Sequence, residues 1–99
     1  MKQDIFDKYA SSVAEEFGIP RQSLFVKTKE RNHANARHML YYLCSVRPIK
    51  VMSIVTYMLN NGYEIGHSSI IYGIRQMEQR MSEDKDYLRV IKKIQSNNP

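Results

Sequence analysis

Apolar residues recur every three or four positions along most of this chain. In the first segment Ile5, Tyr9, Val13 and Phe17 follow one another at intervals of four. Residues at this spacing lie on one face of an α-helix. No segment alternates apolar and polar residues over enough positions to predict a strand. The spacing therefore predicts an all-α fold, a compact helical domain of about five to six helices.

Glycine and proline mark where several of the predicted helices begin and end. Gly18 is suited to a left-handed position after the first helix. Pro20 starts a short helical turn, which is predicted to place Leu24 and Phe25 in the core. Ser82 is predicted to cap the last helix. The predicted helices cover residues 4–17, 34–46, 49–59, 67–81 and 82–95, and residues 26–33 are predicted to form an exposed basic loop.

Length and composition predict one ordered domain over residues 1–99. Hydrophobic residues make up 42% and charged residues 25% of the 99 residues, which is typical of an ordered soluble protein. The start, MKQDIFDKYA, lacks the apolar core of a signal peptide, and no run reaches the roughly 18 apolar residues of a membrane span. We therefore expect a cytoplasmic protein without a membrane partner. Cys44 is the single cysteine, and we expect it to be a small core residue.

The positive charge of the chain is concentrated in its middle third. Between Arg21 and Lys50 there are seven Lys or Arg residues against one acid, Glu30. This segment carries a net charge of +6, whereas the whole chain carries +5, so the remainder sums to −1. Such clustering indicates a surface that binds phosphate groups, although an ordinary solvated surface is the simpler interpretation.

The segment 67–81 has two faces of different character. At about 100° per residue one narrow sector is apolar, which predicts a buried seam formed by Ile70, Ile74, Met77 and Met81. The opposite face carries hydrogen-bonding or cationic side chains and no acid: Ser68, Tyr72, Arg75, Gln76 and Gln79. The preceding segment, 49–59, is apolar on most sides and is predicted to lie at the centre of the core.

A glycine-containing turn joins these two segments, and this order of features is that of a helix-turn-helix. In that motif the N-terminal residues of the second helix contact base edges in the major groove of DNA. His67, Ser68 and Ser69 occupy that position, and their imidazole and hydroxyl groups can donate or accept hydrogen bonds. The same side chains could instead cap the helix without any partner.

The order of motifs also resembles the C-terminal DNA-binding domain of the bacterial replication initiator DnaA. The likeness rests on VAEEFGI, the basic stretch VKTKERNHANARHMLYYL and the later GHSSIIYGIRQMEQRM, and it covers nearly the whole chain. It implies a stand-alone DNA-reading module, of the kind that a phage, a mobile element or a small bacterial regulator would use. The family's Gly-Arg-Asp before the histidine is replaced here by Glu64-Ile65-Gly66, so the family's target sequence is not implied.

The resemblance and the helix pattern together assign roles in DNA binding to particular residues. Arg31 is similar to the family's arginine that reaches the minor groove. The predicted base contacts are His67, Ser68, Ser69, Arg31 and Tyr72. The predicted contacts to the DNA backbone are Lys27, Lys29, Arg37, Lys50, Arg75 and Gln76.

The expected function is therefore sequence-preferring binding of double-stranded DNA in transcription regulation or replication control. No pattern of acids, histidines or the cysteine predicts catalysis, a metal site or a cofactor. Two alternatives stay open. One is a protein-interaction module whose basic surface docks on an acidic host or replication protein. The other is a dimeric regulator of the Trp-repressor type, and the sequence does not decide between a homodimer and a larger complex.

Overall fold

The computed structural model describes residues 2–98, which form five α-helices and one 3₁₀-helix. The α-helices are α1 (Lys2–Phe17), α2 (Arg31–Val46), α3 (Val51–Asn60), α4 (His67–Glu83) and α5 (Lys85–Asn97), and the 3₁₀-helix covers Arg21–Phe25. The predicted all-α fold with five to six helices is confirmed. No helix among residues 2–98 is both long and apolar enough to cross a membrane.

Helix α2 lies at the centre of the domain and contacts every other helical element. It packs most extensively against α4 on one side and α1 on the other. Its core side chains include Met39, Leu40, Leu43 and Cys44, which are all between 0 and 1% exposed. The prediction that Cys44 is a core residue is confirmed, and burial raises the pKa of its thiol to about 12.

The prediction that segment 49–59 lies at the centre of the core is wrong. Helix α3 buries only Ile54 and Met58 among its ten residues. Met52 and Leu59 are 60% and 55% exposed. Because α2 fills the centre, α3 lies on the surface and can bury one face only, and its composition could not reveal which face that is.

The starts of α2 and α5 differ from the predictions by three residues each. Helix α2 begins at Arg31, so the basic loop is shorter than predicted and covers residues 26–30. Ser82 lies inside α4 and does not cap α5. The cap is Asp84, whose side chain accepts a hydrogen bond from the backbone N–H of Asp86 at 2.9 Å. An aspartate suits this position because its carboxylate satisfies a free N–H group at the helix start.

The first turn region agrees with the sequence-based prediction. Gly18 has a φ of +66°, a left-handed conformation that glycine adopts without strain. The 3₁₀-helix then places Leu24 and Phe25 in the core, where they are 0% and 8% exposed. This turn brings the basic loop back across the N-terminal half of α2.

Helices α2 and α4 pack unusually closely around Gly73. A Cβ atom at that position would lie 2.8 Å from Cδ2 of His38 and 2.9 Å from Cδ2 of Tyr41. Such distances are too short for ordinary packing, so only glycine fits here. The contact fixes α4 against α2 and thereby positions the start of α4 relative to the basic loop.

Candidate nucleic-acid interface

The start of α4 is exposed and lacks a side-chain cap. Gly66 is the N-cap residue, and no side-chain hydrogen bond caps the helix. The first intrahelical bond is donated by the N–H of Ile70 to the carbonyl oxygen of Gly66 at 3.3 Å. The backbone N–H groups of the residues between them therefore have no acceptor within the helix. His67, Ser68 and Ser69 are all exposed, so this end of α4 is open to an acceptor from outside.

The outer face of α4 is polar, as the residue pattern predicts. Ile70 and Met77 are both 0% exposed and form the buried seam, while Ile74 and Met81 are half-buried at its edge. Tyr72 is 60% exposed, and its ring meets the ring of His38 edge to face at 6.1 Å between centroids. On the same face Ser68, Arg75 and Gln79 are exposed, and Gln76 is half-buried. No acid lies in the first turn of α4.

The basic loop is held in place by Arg37, which is only 5% exposed. Its guanidinium donates hydrogen bonds to the carbonyl oxygens of Val26 at 3.3 Å and Thr28 at 3.5 Å. The same group lies 5.1 Å from the centroid of the Tyr63 ring. The predicted role of Arg37 is a contact with the DNA backbone. In the structure its guanidinium is buried and engaged with loop carbonyls, so it supports the loop and does not project from the surface.

The two lysines of the loop remain exposed. The Nζ atom of Lys27 lies 5.3 Å from the centroid of the Tyr63 ring, on which the Arg37 guanidinium also packs. Tyr63 follows the turn at Gly62, whose φ is +86°. The Tyr63 ring therefore connects the turn between α3 and α4 to the basic loop, because the cations of Lys27 and Arg37 are both attracted to its face.

Two of the predicted contact residues lie away from this junction. Arg31 lines a depression with Arg80 and Asp84, at the C-terminal end of α4. Arg80 is 13 residues after His67 in α4, which corresponds to a rise of about 20 Å along the helix axis. Lys50 is the N-cap residue of α3, at the opposite end of that helix from the turn that leads to Tyr63. The structure therefore does not bring Arg31 or Lys50 together with the start of α4.

A cavity of about 300 Å³ lies where the basic loop, α2 and the start of α4 meet. Ser69, Tyr72, Lys27 and Arg37 were assigned to the interface by sequence reasoning, and all four line this cavity. The sequence pattern does not predict the other polar or aromatic members of the cavity, which are His38, Tyr41, Tyr63 and Glu64. The spacing does indicate one of these residues: Tyr41 is four residues after Arg37, so the two side chains share a face of α2.

The electrostatics of the cavity are set by fixed cations and by burial. Burial, with Arg80 and Arg37 nearby, lowers the pKa of His38 from 6.5 to about 4, so its ring is neutral at pH 7. Burial raises the pKa of Tyr41, so its hydroxyl keeps its proton. Lys27, Arg37 and the positive end of the α4 dipole then face a single carboxylate, that of Glu64.

No model of a known protein family matches the sequence. The candidate interface is defined by its geometry alone: an uncapped helix start, an exposed polar face and an adjoining loop with two exposed lysines.

Proposed function

We propose that this protein binds double-stranded DNA, with the start of α4 in the major groove and the basic loop on the sugar-phosphate backbone. In this proposal α3, the turn and α4 act as a helix-turn-helix. The observation that carries the proposal is the exposed, uncapped and acid-free start of α4, which lies beside the cavity that Lys27 and Arg37 also line. Free backbone N–H groups at a helix start are suited to phosphate oxygens, and the side chains beside them are suited to base edges.

The assignment of residues follows from their positions. His67, Ser68, Ser69 and the exposed Tyr72 are the candidates for base contact. Lys27, Lys29 and Arg75 are exposed cations and are the candidates for backbone contact, while Gln76 lies half-buried on the same helix. Arg37 holds the loop and also lines the cavity beside the start of α4. Arg31, at the far end of α4, would reach a separate part of the duplex, in keeping with the minor-groove role that the DnaA resemblance implies.

The experiment is a comparison of affinities for a selected duplex and for random duplexes at several salt concentrations. Lys29→Gln should weaken binding to all sequences and reduce the salt slope by about 0.9, because one phosphate contact is lost. Ser68→Ala or His67→Ala should cost about 1–3 kcal/mol on the selected site and little on random sequence. Lys92→Gln is the matched control, since Lys92 is an exposed lysine on α5.

Two results would contradict the proposal. One is the absence of duplex binding at low salt. The other is an equal effect of the lysine and serine substitutions on selected and random duplexes, which would mean that α4 does not read sequence. The rival function, docking of the basic surface on an acidic protein, predicts binding to a defined protein partner and no measurable duplex affinity at low salt.

A further inference from the structure

The hydroxyl group of Tyr41 is buried without a partner. The Tyr41 side chain is 1% exposed, and its hydroxyl oxygen makes no hydrogen bond among residues 2–98. A buried hydroxyl without a hydrogen bond destabilises a protein by about 1–3 kcal/mol, and native structures contain few such groups. Phenylalanine would fill the same volume without this penalty, so the hydroxyl indicates a partner that comes from outside the domain.

The surroundings of Tyr41 show what kind of partner fits. Tyr41 lines the cavity between the loop and α4, together with Lys27, Arg37, Gly66 and Ser69. The ammonium, the guanidinium and the backbone N–H groups at the helix start are all hydrogen-bond donors. Burial raises the pKa of Tyr41, so its hydroxyl is also a donor at neutral pH. A phosphate group, which offers only acceptors and carries negative charge, complements this set.

We propose that one phosphate of the DNA backbone enters this cavity and accepts a hydrogen bond from the Tyr41 hydroxyl. This inference rests on the proposed function. The phosphate would also accept hydrogen bonds from the backbone N–H groups at the start of α4 and pair with Lys27. Lys27 is exposed and now lies over the Tyr63 ring, so its side chain is the part of the rim that can turn towards the phosphate. The contact ties the loop and α4 to one point of the duplex.

The carboxylate of Glu64 opposes an anion in the same cavity. Two cations and a helix start outweigh it, so the cavity still favours negative charge. Glu64→Gln should therefore strengthen binding of every duplex severalfold at low salt, with a smaller gain at high salt because exposed charges are screened there.

The test is Tyr41→Phe, measured by duplex affinity as a function of salt. We expect binding to selected and random duplexes to weaken about tenfold alike, because a hydrogen bond to a charged group is lost. The salt slope should stay unchanged, since a neutral hydroxyl releases no counterion, whereas Lys27→Gln should reduce it by about 0.9. The free energy of unfolding should be retained or raised by Tyr41→Phe. Tyr42→Phe, on the same helix but outside the cavity, is the control.

Wild-type affinity in the Tyr41→Phe variant would overturn this inference and leave the proposed function intact. If the wild-type chain binds no duplex, the proposed function fails, and the cavity is then tested with inorganic phosphate by NMR of the His67, Ser68 and Ser69 amides. If phosphate shifts these amide signals in the wild type and Tyr41→Phe abolishes the shifts, the cavity is an anion site. In that case the bound phosphate does not come from DNA. Unchanged amide signals would overturn the site as well.

Discussion

Arg37 is a buried structural residue of the candidate interface. Its guanidinium satisfies two loop carbonyls and packs on Tyr63, so one side chain joins α2, the loop and the turn before α4. The predicted backbone contact of this arginine rests on the resemblance to the DnaA domain and on its place in the basic segment. The loop carbonyls that it satisfies could not be anticipated, since they lie 9 and 11 residues away along a segment without periodicity.

Arg37→Lys tests this role. The ammonium keeps the charge but cannot reproduce the forked contact with two carbonyl groups. We expect the free energy of unfolding to fall by about 1–2 kcal/mol and the loop amides to exchange faster with solvent. Denaturant titration and hydrogen exchange provide the two measurements. Arg75→Lys, at an exposed position of α4, should change neither, and an Arg37→Lys variant as stable as the wild type would refute the supporting role.

At the scale of elements, the helices with one clearly apolar face were predicted best. Helices α1 and α4 have such a face, and their predicted cores are buried at Val13, Ile70 and Met77. Helix α3 was misplaced because apolar residues surround it, and spacing alone cannot show which of them a neighbour covers. The cavity was also beyond prediction as a whole. Tyr41 and Tyr63 line the same cavity only because α2 and the turn before α4 are adjacent in space.

Gly73→Ala tests the closeness of α2 and α4. Alanine favours an isolated helix by about 1 kcal/mol over glycine. Here, however, the new Cβ would lie 2.8 Å from the His38 ring and 2.9 Å from the Tyr41 ring. We expect a net loss of about 1–3 kcal/mol of stability, because the two helices must shift apart. Thermal or denaturant unfolding measures this loss.

The double variant Gly73→Ala with His38→Ala provides the check on this mechanism. Removing the imidazole should relieve part of the clash, so the combined loss should be smaller than the sum of the two single losses. Strictly additive losses of stability, or a Gly73→Ala variant that is more stable than the wild type, would show that the contact at Gly73 does not limit how closely α2 and α4 pack.

For the whole molecule, acid should weaken the fold through His38. Its folded-state pKa of about 4 is below the usual 6.5, mainly because of burial, so the unfolded chain binds more protons between these values. Stability attributable to His38 is therefore present above about pH 6.5 and is lost as the pH falls towards 4. Allowing for its partial exposure to solvent, we expect a loss on the order of 1–2 kcal/mol.

Urea unfolding of the wild type and of His38→Gln at pH 7 and pH 5 measures this contribution. The variant should lose less stability than the wild type over this interval. His67→Gln is the control for the loss of a histidine at an exposed position. Equal acid sensitivity in all three proteins would assign the effect to other groups.

The internal anchoring of the loop has a thermodynamic consequence for association. Residues 26–30 are held by Arg37 and Tyr63 before any ligand arrives, so complex formation does not have to order a disordered segment. Calorimetry of binding should then record a heat-capacity change that matches contact between two rigid surfaces. It should lack the larger decrease that accompanies folding coupled to binding.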